Sequence, residues 1–239
     1  MNSSQLDINP EIPEAFALYK HVQDNYGGDV TRITANSLSV GGGGGGEARG
    51  SIEARRNCSA IKEENMGYGD KSDYCDMKMS VIYFKNSPSG SSDGPWYTSC
   101  PKKEDGGCKK KVTETIGGGG WRCEKCDMEY PECTRRYILS TQCGDASGTN
   151  WFTFFNDEAE KLLGITADNL WELKNRSEAA YKDHFDQLLF KEFLATTRSK
   201  AEMVNDENRV KSVVYRYADI DFKDENRKMI DVLKKFEAM

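Results

Sequence analysis

The chain of 239 residues has a formal net charge of −6, with 37% hydrophobic and 30% charged residues. Its length suffices for a hydrophobic core without disulfide bonds. Its longest strongly apolar stretch, around Val81–Phe84, is far shorter than the ~20 residues of a membrane span. These features exclude a membrane protein. The net negative charge argues against an obvious nucleic-acid-binding protein, although it says little about the charge on any single face of the protein.

The N-terminal part is predicted to hold one helix and one loose loop. Residues 7–26 place aromatic and aliphatic side chains at helical spacing after two prolines. Residues 36–51 are rich in glycine and serine and predict a loop. The first residues lack the basic and apolar regions of a secretory signal, so we expect a chain that is not exported.

Extended patterns follow at residues 52–61 and 74–85. In the second stretch Met77, Met79 and Val81 alternate with polar residues, which is the period of a half-buried strand. Later elements are predicted in this order: strands at 135–141 and 150–155, three helices within 156–190, two hairpin strands at 191–204 and 208–219, and a helix at 223–239. This order favours a β-barrel or sandwich with added helices over an alternating βα fold.

Four clustered cysteines give the strongest chemical signal. Cys100 and Cys108 are followed by the pair Cys123 and Cys126, with fourteen residues between Cys108 and Cys123. Two thiolate pairs separated by a hairpin-length spacer are typical of a tetrahedral zinc ribbon, with Gly117–Gly120 at its tip. Seven residues separate the first pair, so we interpret that half as an expanded knuckle.

The same cluster argues for a structural metal rather than a catalytic one. Four cysteine ligands close the coordination sphere of zinc, and neither histidine lies in a known catalytic motif. A redox Cys-x-x-Cys is the competing interpretation, but it lacks a βαβ context. We therefore expect no enzymatic activity. The other cysteines are expected to be buried small apolar residues: Cys58, Cys75, Cys133 and Cys143.

Basic and aromatic residues share predicted strand faces. Arg198 and Lys200 lie two residues apart, as do the members of the run Trp151, Thr153 and Phe155. Rings flanked by cations are what single-stranded nucleic acid requires, because bases stack on rings and phosphates pair with charges. From the sequence alone, packing in the core explains Trp151 and Phe155 equally well. The candidate nucleic-acid contacts are Arg136, Trp151, Phe155, Arg198, Lys200 and Lys211.

The C-terminal segment predicts an amphipathic helix with a seam of apolar residues at three- and four-residue spacing. The candidate interface residues are Met229, Ile230, Leu233 and Phe236. Such a helix docks either on its own domain or in an intermolecular bundle, and the seam fits a bundle well.

Six stretches carry a resemblance to a known family: Asn-Pro-Glu-Ile-Pro-Glu-Ala (9–15), Glu-Asn-Met-Gly-Tyr-Gly-Asp-Lys (64–71), Arg-Cys-Glu-Lys-Cys-Asp-Met-Glu (122–129), Arg-Tyr-Ile-Leu-Ser (136–140), Glu-Leu-Lys (172–174) and Asn-Asp-Glu-Asn-Arg-Val-Lys (205–211). In this order, over nearly the whole chain, they resemble the C-terminal DNA-binding domain of the large subunit of replication protein A.

The resemblance implies a mostly β protein: a five-stranded OB-fold barrel with a zinc ribbon inserted at about 96–135 and added helices. It implies binding of single-stranded DNA without sequence preference, in replication, repair and recombination, in the nucleus. It also implies assembly of a heterotrimer with the middle and small subunits through the C-terminal helix. The implied domains are an OB domain at 1–222 and an assembly helix at 223–239.

The resemblance also implies site residues. One structural Zn²⁺ is expected on Cys100, Cys108, Cys123 and Cys126, and Phe155 falls where sister domains carry a base-stacking aromatic. The sequence departs from the family pattern in its longer first knuckle and in the hairpin at 203–208, which has no aromatic residue. Two alternatives remain: a telomere-directed paralogue that prefers G-rich strands, and an OB-fold protein-interaction module without nucleic-acid binding. A thiol redox enzyme is a distant third.

Overall fold

The N-terminal helix is only partly described by the computed structural model, which describes residues 12, 13, 15–17, 19, 20, 52–85, 94–102, 107–204 and 207–237. The chain divides into two units, residues 1–40 and 41–239. In the first unit the described residues from 13 to 20 are helical, and the amide of Phe16 donates to the carbonyl of Ile12 at 3.2 Å. This agrees with the helix predicted at 7–26. The loop predicted at 36–51 lies outside the described residues.

The second unit is built on a closed ring of five long strands. The strands of the described part are β1 (Asp73–Lys85), β2 (Trp96–Ser99), β3 (Thr113–Glu114), β4 (Trp121–Cys123), β5 (Met128–Tyr130), β6 (Thr134–Asp145), β7 (Gly148–Phe155), β8 (Glu192–Val204) and β9 (Glu207–Asp219). The ring runs β1-β8-β9-β7-β6 and closes where β6 pairs with β1. Neighbours are antiparallel except β7 and β9, which are parallel. The predicted five-stranded OB barrel is therefore confirmed.

Alternation of side chains along each strand separates the barrel core from its surface. In β1, Met77, Met79 and Val81 are buried while the intervening residues are exposed or half-buried. In β7, Phe152 and Phe154 fill the barrel. Because successive side chains point to opposite faces of a strand, Trp151 and Phe155, which flank these two residues, point outward. Closure of the ring thus fixes both the core and the outer surface.

Three helices connect β7 to β8, as predicted. The α-helices in the described part of the second unit are α1 (Ala60–Glu63), α2 (Asn156–Leu163), α3 (Ala167–Arg176), α4 (Glu178–Asp186) and α5 (Phe222–Glu237). Thr166 and Ser177 begin α3 and α4 by accepting a backbone N–H with their hydroxyls. Leu162, Leu170 and Phe185 are buried in the same core as the barrel strands. The three helices therefore extend the barrel core.

The strand predicted at 52–61 is wrong. This segment forms a 3₁₀ turn at Ile52–Ala54 and the short helix α1. Side-chain oxygens satisfy its backbone: the amide of Cys58 donates to Asp145 at 2.7 Å and that of Ala60 donates to Asn57 at 3.1 Å. Such side-chain acceptors compete with strand pairing, so the segment turns instead of joining the sheet.

One ion pair fastens the last helix to this turning segment. Glu225 is the buried residue of α5. Its carboxylate accepts hydrogen bonds from both terminal nitrogens of the Arg55 guanidinium. The hydrogen bonds from Arg55 hold the pKa of Glu225 below its ordinary value, against the opposing effect of burial. Near the other end of the helix, Lys235 pairs with Glu53 at 2.9 Å. The helix is therefore attached through polar contacts and not through its apolar face.

Replacing Glu225 with Gln should lower the free energy of unfolding by about 2 kcal/mol at neutral pH, because the buried guanidinium loses its charged partner. A carboxylate with a lowered pKa stabilises the folded state above its unfolded-state pKa, and this stabilisation is lost as the pH falls through the folded-state value. Urea unfolding of wild type and Glu225→Gln should therefore differ at neutral pH and converge in acid. Glu237→Gln, on the exposed end of α5, is the control. Equal stability of wild type and Glu225→Gln at neutral pH would contradict this role.

Candidate nucleic-acid interface and metal centre

The four clustered cysteines meet at one point. The sulfur atoms of Cys100, Cys108, Cys123 and Cys126 all lie within 4.8 Å of one another. The sulfurs of Cys100 and Cys126 are 3.9 Å apart, and those of Cys108 and Cys123 are 3.8 Å apart. Four sulfurs placed tetrahedrally at ~2.3 Å from one zinc ion are separated by about 3.8 Å. The cluster therefore has the size and the donors to hold one metal ion, as the spacing predicted.

A small three-stranded sheet carries two of these thiols, those of Cys123 and Cys126. Strands β3, β4 and β5 pair in that order, and Cys123 ends β4. The glycine run at 117–120 forms the turn between β3 and β4, where Thr115 N donates to Gly120 O at 2.9 Å. Gly117 and Gly118 adopt φ values of 108° and 72° there, a region that side-chain-bearing residues rarely adopt. The predicted position of this run at the ribbon tip is confirmed.

The long loop between Cys100 and Cys108, the expanded first knuckle, also brings both cysteines to the cluster. The amide of Cys108 donates to the carbonyl of Lys102 at 2.9 Å, and the amide of Cys100 donates to that of Lys110 at 2.9 Å. These bonds return the chain to the cluster although seven residues separate the two cysteines. The longer spacing therefore does not displace the second ligand.

The remaining cysteines lie outside this cluster. Cys58, Cys75 and Cys143 are buried in the barrel core, as predicted. Burial raises the pKa of the Cys58 thiol to about 12 and that of Cys75 to about 11, so both stay protonated. Cys133 is only half-buried and packs beside the metal-ligand cluster. These four thiols are poorly suited to redox chemistry or metal binding.

Arg135 joins the ribbon to the helices. Its backbone amide donates to Asp168 of α3 at 3.0 Å, and its guanidinium donates to the same carboxylate at 3.2 Å. The guanidinium also lies 3.7 Å from the ring centre of Trp171, within the range of a cation–π contact. Arg135 therefore stabilises the fold, whereas the neighbouring Arg136 lies on the outer face of the barrel with the other predicted contact residues.

The predicted contact residues all lie on the outside of β6, β7, β8 and β9. Trp151 and Phe155 are 50% and 43% exposed, which decides against the core packing that the sequence left open. The register that pairs Phe152 with Ser212 places Trp151 beside Lys211, and Lys211 pairs with Lys200 on β8. Arg198 lies two residues from Lys200 on the same face.

Three of these residues line one groove, which we call the outer groove. It is lined by Tyr97, Lys109, Arg136, Phe155, Arg198 and Tyr215, among others. Tyr97 pairs with Arg136 across β2 and β6. Trp151, Lys200 and Lys211 do not line this groove and form the continuation of the same outer face. The structure thus brings together three of the predicted contact residues and places Tyr97, Lys109 and Tyr215 beside them.

Of the described residues that line the outer groove, three are basic and two are acidic. Among the described residues, the side chains of Lys109 and Arg198 form no salt bridge. Two acidic residues also line the groove, but both have partners. Asp157 lies 3.4 Å from Arg136, and Glu158 accepts from Lys161 at 2.8 Å and from the amide of Tyr217 at 2.6 Å. The groove therefore offers unpaired cations beside exposed rings, despite the net charge of −6.

The apolar face of α5 points away from the protein. Met229, Ile230, Leu233 and Phe236 are 39%, 51%, 62% and 68% exposed. All four residues of the predicted seam are thus exposed, whereas Glu225 of the same helix is buried. No helix in the described part of the chain is long and apolar enough to cross a membrane.

The chain matches one family of known proteins. Residues 74–229 match the family described as "Replication factor-A C terminal domain". This match covers more than half of the chain, from the first barrel strand into α5.

Relatives from several organisms are similar to this chain over nearly its whole length. A 70 kDa DNA-binding subunit of replication protein A from Oryza sativa subsp. japonica is 35% identical over 241 residues, covering 100% of this chain and 34% of the relative. The corresponding proteins of Xenopus tropicalis and Mus musculus are 34% and 33% identical and cover 100% and 98% of this chain and 36% and 35% of the relatives. The chain thus spans about a third of the length of the curated relatives it matches.

Two solved structures have a similar fold. One is a replication protein A heterotrimer bound to ssDNA, with a TM-score of 0.66 and 30% identity over 95% of this chain and 48% of that chain. The other is yeast RPA bound to ssDNA, with a TM-score of 0.64 and 28% identity over 76% of this chain and 96% of that chain. The barrel, the cysteine ribbon and these matches agree: the chain belongs to the replication factor-A C-terminal domain family and corresponds to the C-terminal part of the large subunit of replication protein A.

Proposed function

We propose that the chain binds single-stranded DNA without catalysis and largely without sequence preference, on the outer groove of its barrel. The observation that carries this proposal is the convergence of Phe155, Arg198 and Lys109 on one groove, rings beside unpaired cations. Bases stack on exposed aromatics and phosphates follow positive charge. Trp151, Lys200 and Lys211 extend the same face, and Arg136 contributes from its edge. The similar solved structures, a replication protein A heterotrimer and yeast RPA, are both bound to ssDNA, which supports the proposed binding of single-stranded DNA.

The proposed role belongs to DNA replication, repair and recombination in the nucleus, since the relatives are replication protein subunits. We assign residues 1–222 to the OB-fold DNA-binding domain, with the ribbon at about 96–135, and residues 223–239 to the assembly helix. The proposed partners are single-stranded DNA and the middle and small subunits of replication protein A.

Fluorescence anisotropy with a labelled oligothymidine of about thirty bases tests the groove. Wild type should bind, and its affinity should fall steeply with salt because phosphate contacts release counterions. Phe155→Ala should weaken binding about tenfold, since one stacked base is worth ~1–3 kcal/mol. Arg198→Ala should weaken binding and reduce the salt dependence by about one released ion. Phe190→Ala removes an exposed ring that does not line the groove and should bind as wild type does.

No binding of wild type at low salt would overturn the DNA-binding proposal and favour a protein-interaction module. A strong preference for G-rich over mixed strands would favour the telomere-directed alternative. A folded Phe155→Ala protein with wild-type affinity would remove Phe155 from the site.

We assign zinc to the four-cysteine cluster. Four thiolates in a closed tetrahedron are the donor set of a structural zinc site, and the sulfur separations of 3.8 and 3.9 Å match it. The residues that would hold the ion are Cys100, Cys108, Cys123 and Cys126. The ion would fix the ribbon at the side of the barrel, next to Lys109 of the outer groove.

Elemental analysis should find about one zinc per chain. Cys126→Ser should lose this zinc and weaken DNA binding indirectly, because Lys109 lies next to the ligand Cys108. Cys133→Ser is the matched control: this cysteine packs beside the cluster but lies outside it, so its zinc content should be unchanged. Full zinc content in Cys126→Ser, or a different metal in wild type, would contradict the assignment.

We propose that α5 assembles the heterotrimer through its exposed apolar face. An unpaired seam of four large apolar residues on an amphipathic helix fits a helical bundle with other chains. Its attachment to its own domain through Arg55 and Glu225 leaves that face free.

Leu233→Asp together with Phe236→Asp should abolish co-purification with the middle and small subunits, because charge in a bundle core is costly. Asp231→Ala together with Lys234→Ala alters the same helix on its polar positions and should leave assembly intact. Size-exclusion chromatography with light scattering after co-expression gives the stoichiometry. A full heterotrimer with the double Asp variant would refute the assembly role of this face.

A further inference from the structure

Tyr215 is an exposed ring that neither the sequence pattern nor the family resemblance assigned to the site. It lies on the outer face of β9, where it is 51% exposed. The parallel register pairs Phe154 with Val214, so Tyr215 stands beside Phe155 on the neighbouring strand. Both rings line the outer groove together with Arg198.

A second tyrosine holds this ring in place. Tyr74 of β1 packs edge-on against Tyr215, with ring centres 5.6 Å apart and an angle of 83° between the planes. The registers place Tyr74 opposite Arg198 and Arg198 opposite Val213, so Tyr215 lies on the diagonal across β8. Edge-on contacts of this kind are favourable for aromatic pairs. The ring of Tyr215 is therefore ordered before any ligand binds.

The surroundings of Tyr215 are positively charged. The Arg216 guanidinium lies 5.8 Å from the centre of its ring, at the outer limit of a cation–π contact. Arg198, whose side chain forms no salt bridge among the described residues, lies between Tyr74 and β9. An exposed, braced ring between cations has the features that a nucleobase and its phosphate require.

We propose that Tyr215, braced by Tyr74, is a second base-stacking platform next to Phe155 in the outer groove. This inference rests on the proposed binding of single-stranded DNA. Neighbouring strands lie ~4.8 Å apart, so the two platforms take bases that are adjacent or nearly adjacent in one strand, with Arg198 placed for a phosphate. The hairpin at 203–208 carries no aromatic residue, and the strand-borne Tyr215 supplies a platform that the hairpin lacks.

Anisotropy with the oligothymidine probe tests this platform. Tyr215→Ala should raise the Kd about tenfold, whereas Tyr215→Phe, which keeps the ring, should stay within about twofold of wild type. Tyr74→Ala should give an intermediate loss because the platform loses its brace. Tyr215→Trp provides a second readout, since its added fluorescence should be quenched when a base stacks on it. Circular dichroism and thermal unfolding verify that each variant folds.

The outcomes separate this inference from the function on which it rests. Failure of wild type to bind overturns both. If wild type binds and Phe155→Ala weakens binding while Tyr215→Ala does not, the proposed function stands and the Tyr215 platform is refuted. Equal losses in Tyr215→Phe and Tyr215→Ala would also refute stacking, because the hydroxyl and not the ring would then carry the contact.

Discussion

Closure of the five-stranded ring is the constraint on which the rest of the structure depends. Once β6 pairs with β1, each strand of the barrel has a partner on both sides, and its side chains face either the core or the solvent. A slip of one residue would exchange the two sets. The buried side chains of Met77, Phe152 and Phe154 fix the register through the hydrophobic effect. Phe155 is on the surface because Phe154 is in the core.

The ribbon and the last helix are tied to the rest of the second unit by polar contacts, whereas the helices between β7 and β8 pack into its core. The ribbon is inserted between β2 and β6, and Arg135 ties its root to α3 through Asp168 and Trp171. The last helix is tied to the turning segment before β1 by Arg55 and Glu225. Such contacts hold an element in position without covering its apolar or basic face. A chain with a net charge of −6 can therefore still present a basic groove. The acidic residues that line the outer groove have partners, whereas Lys109 and Arg198 form no salt bridge among the described residues.

Much of this arrangement could be predicted from the sequence, because it depends on local periodicity and spacing. Alternation in β1 and the Cys123–Cys126 pair are local signals, and both gave correct predictions. The strand predicted at 52–61 failed because its backbone is satisfied by Asp145, which is distant in the sequence. Tyr215 and Tyr97 were missed for a similar reason. The outer groove is assembled from β2, β6, β7, β8 and β9, and the parallel register of β7 with β9 has no local signature.

We propose that the outer groove is the DNA-binding surface. The most direct measurement is a map of backbone amide chemical shifts in isotope-labelled protein, recorded with and without the oligothymidine probe. We expect the changes to concentrate at the residues that line the groove: Tyr97, Arg136, Phe155, Arg198 and Tyr215. Absence of any change at these residues on saturation with the probe, or changes confined to α5 and the ribbon tip, would contradict this proposal.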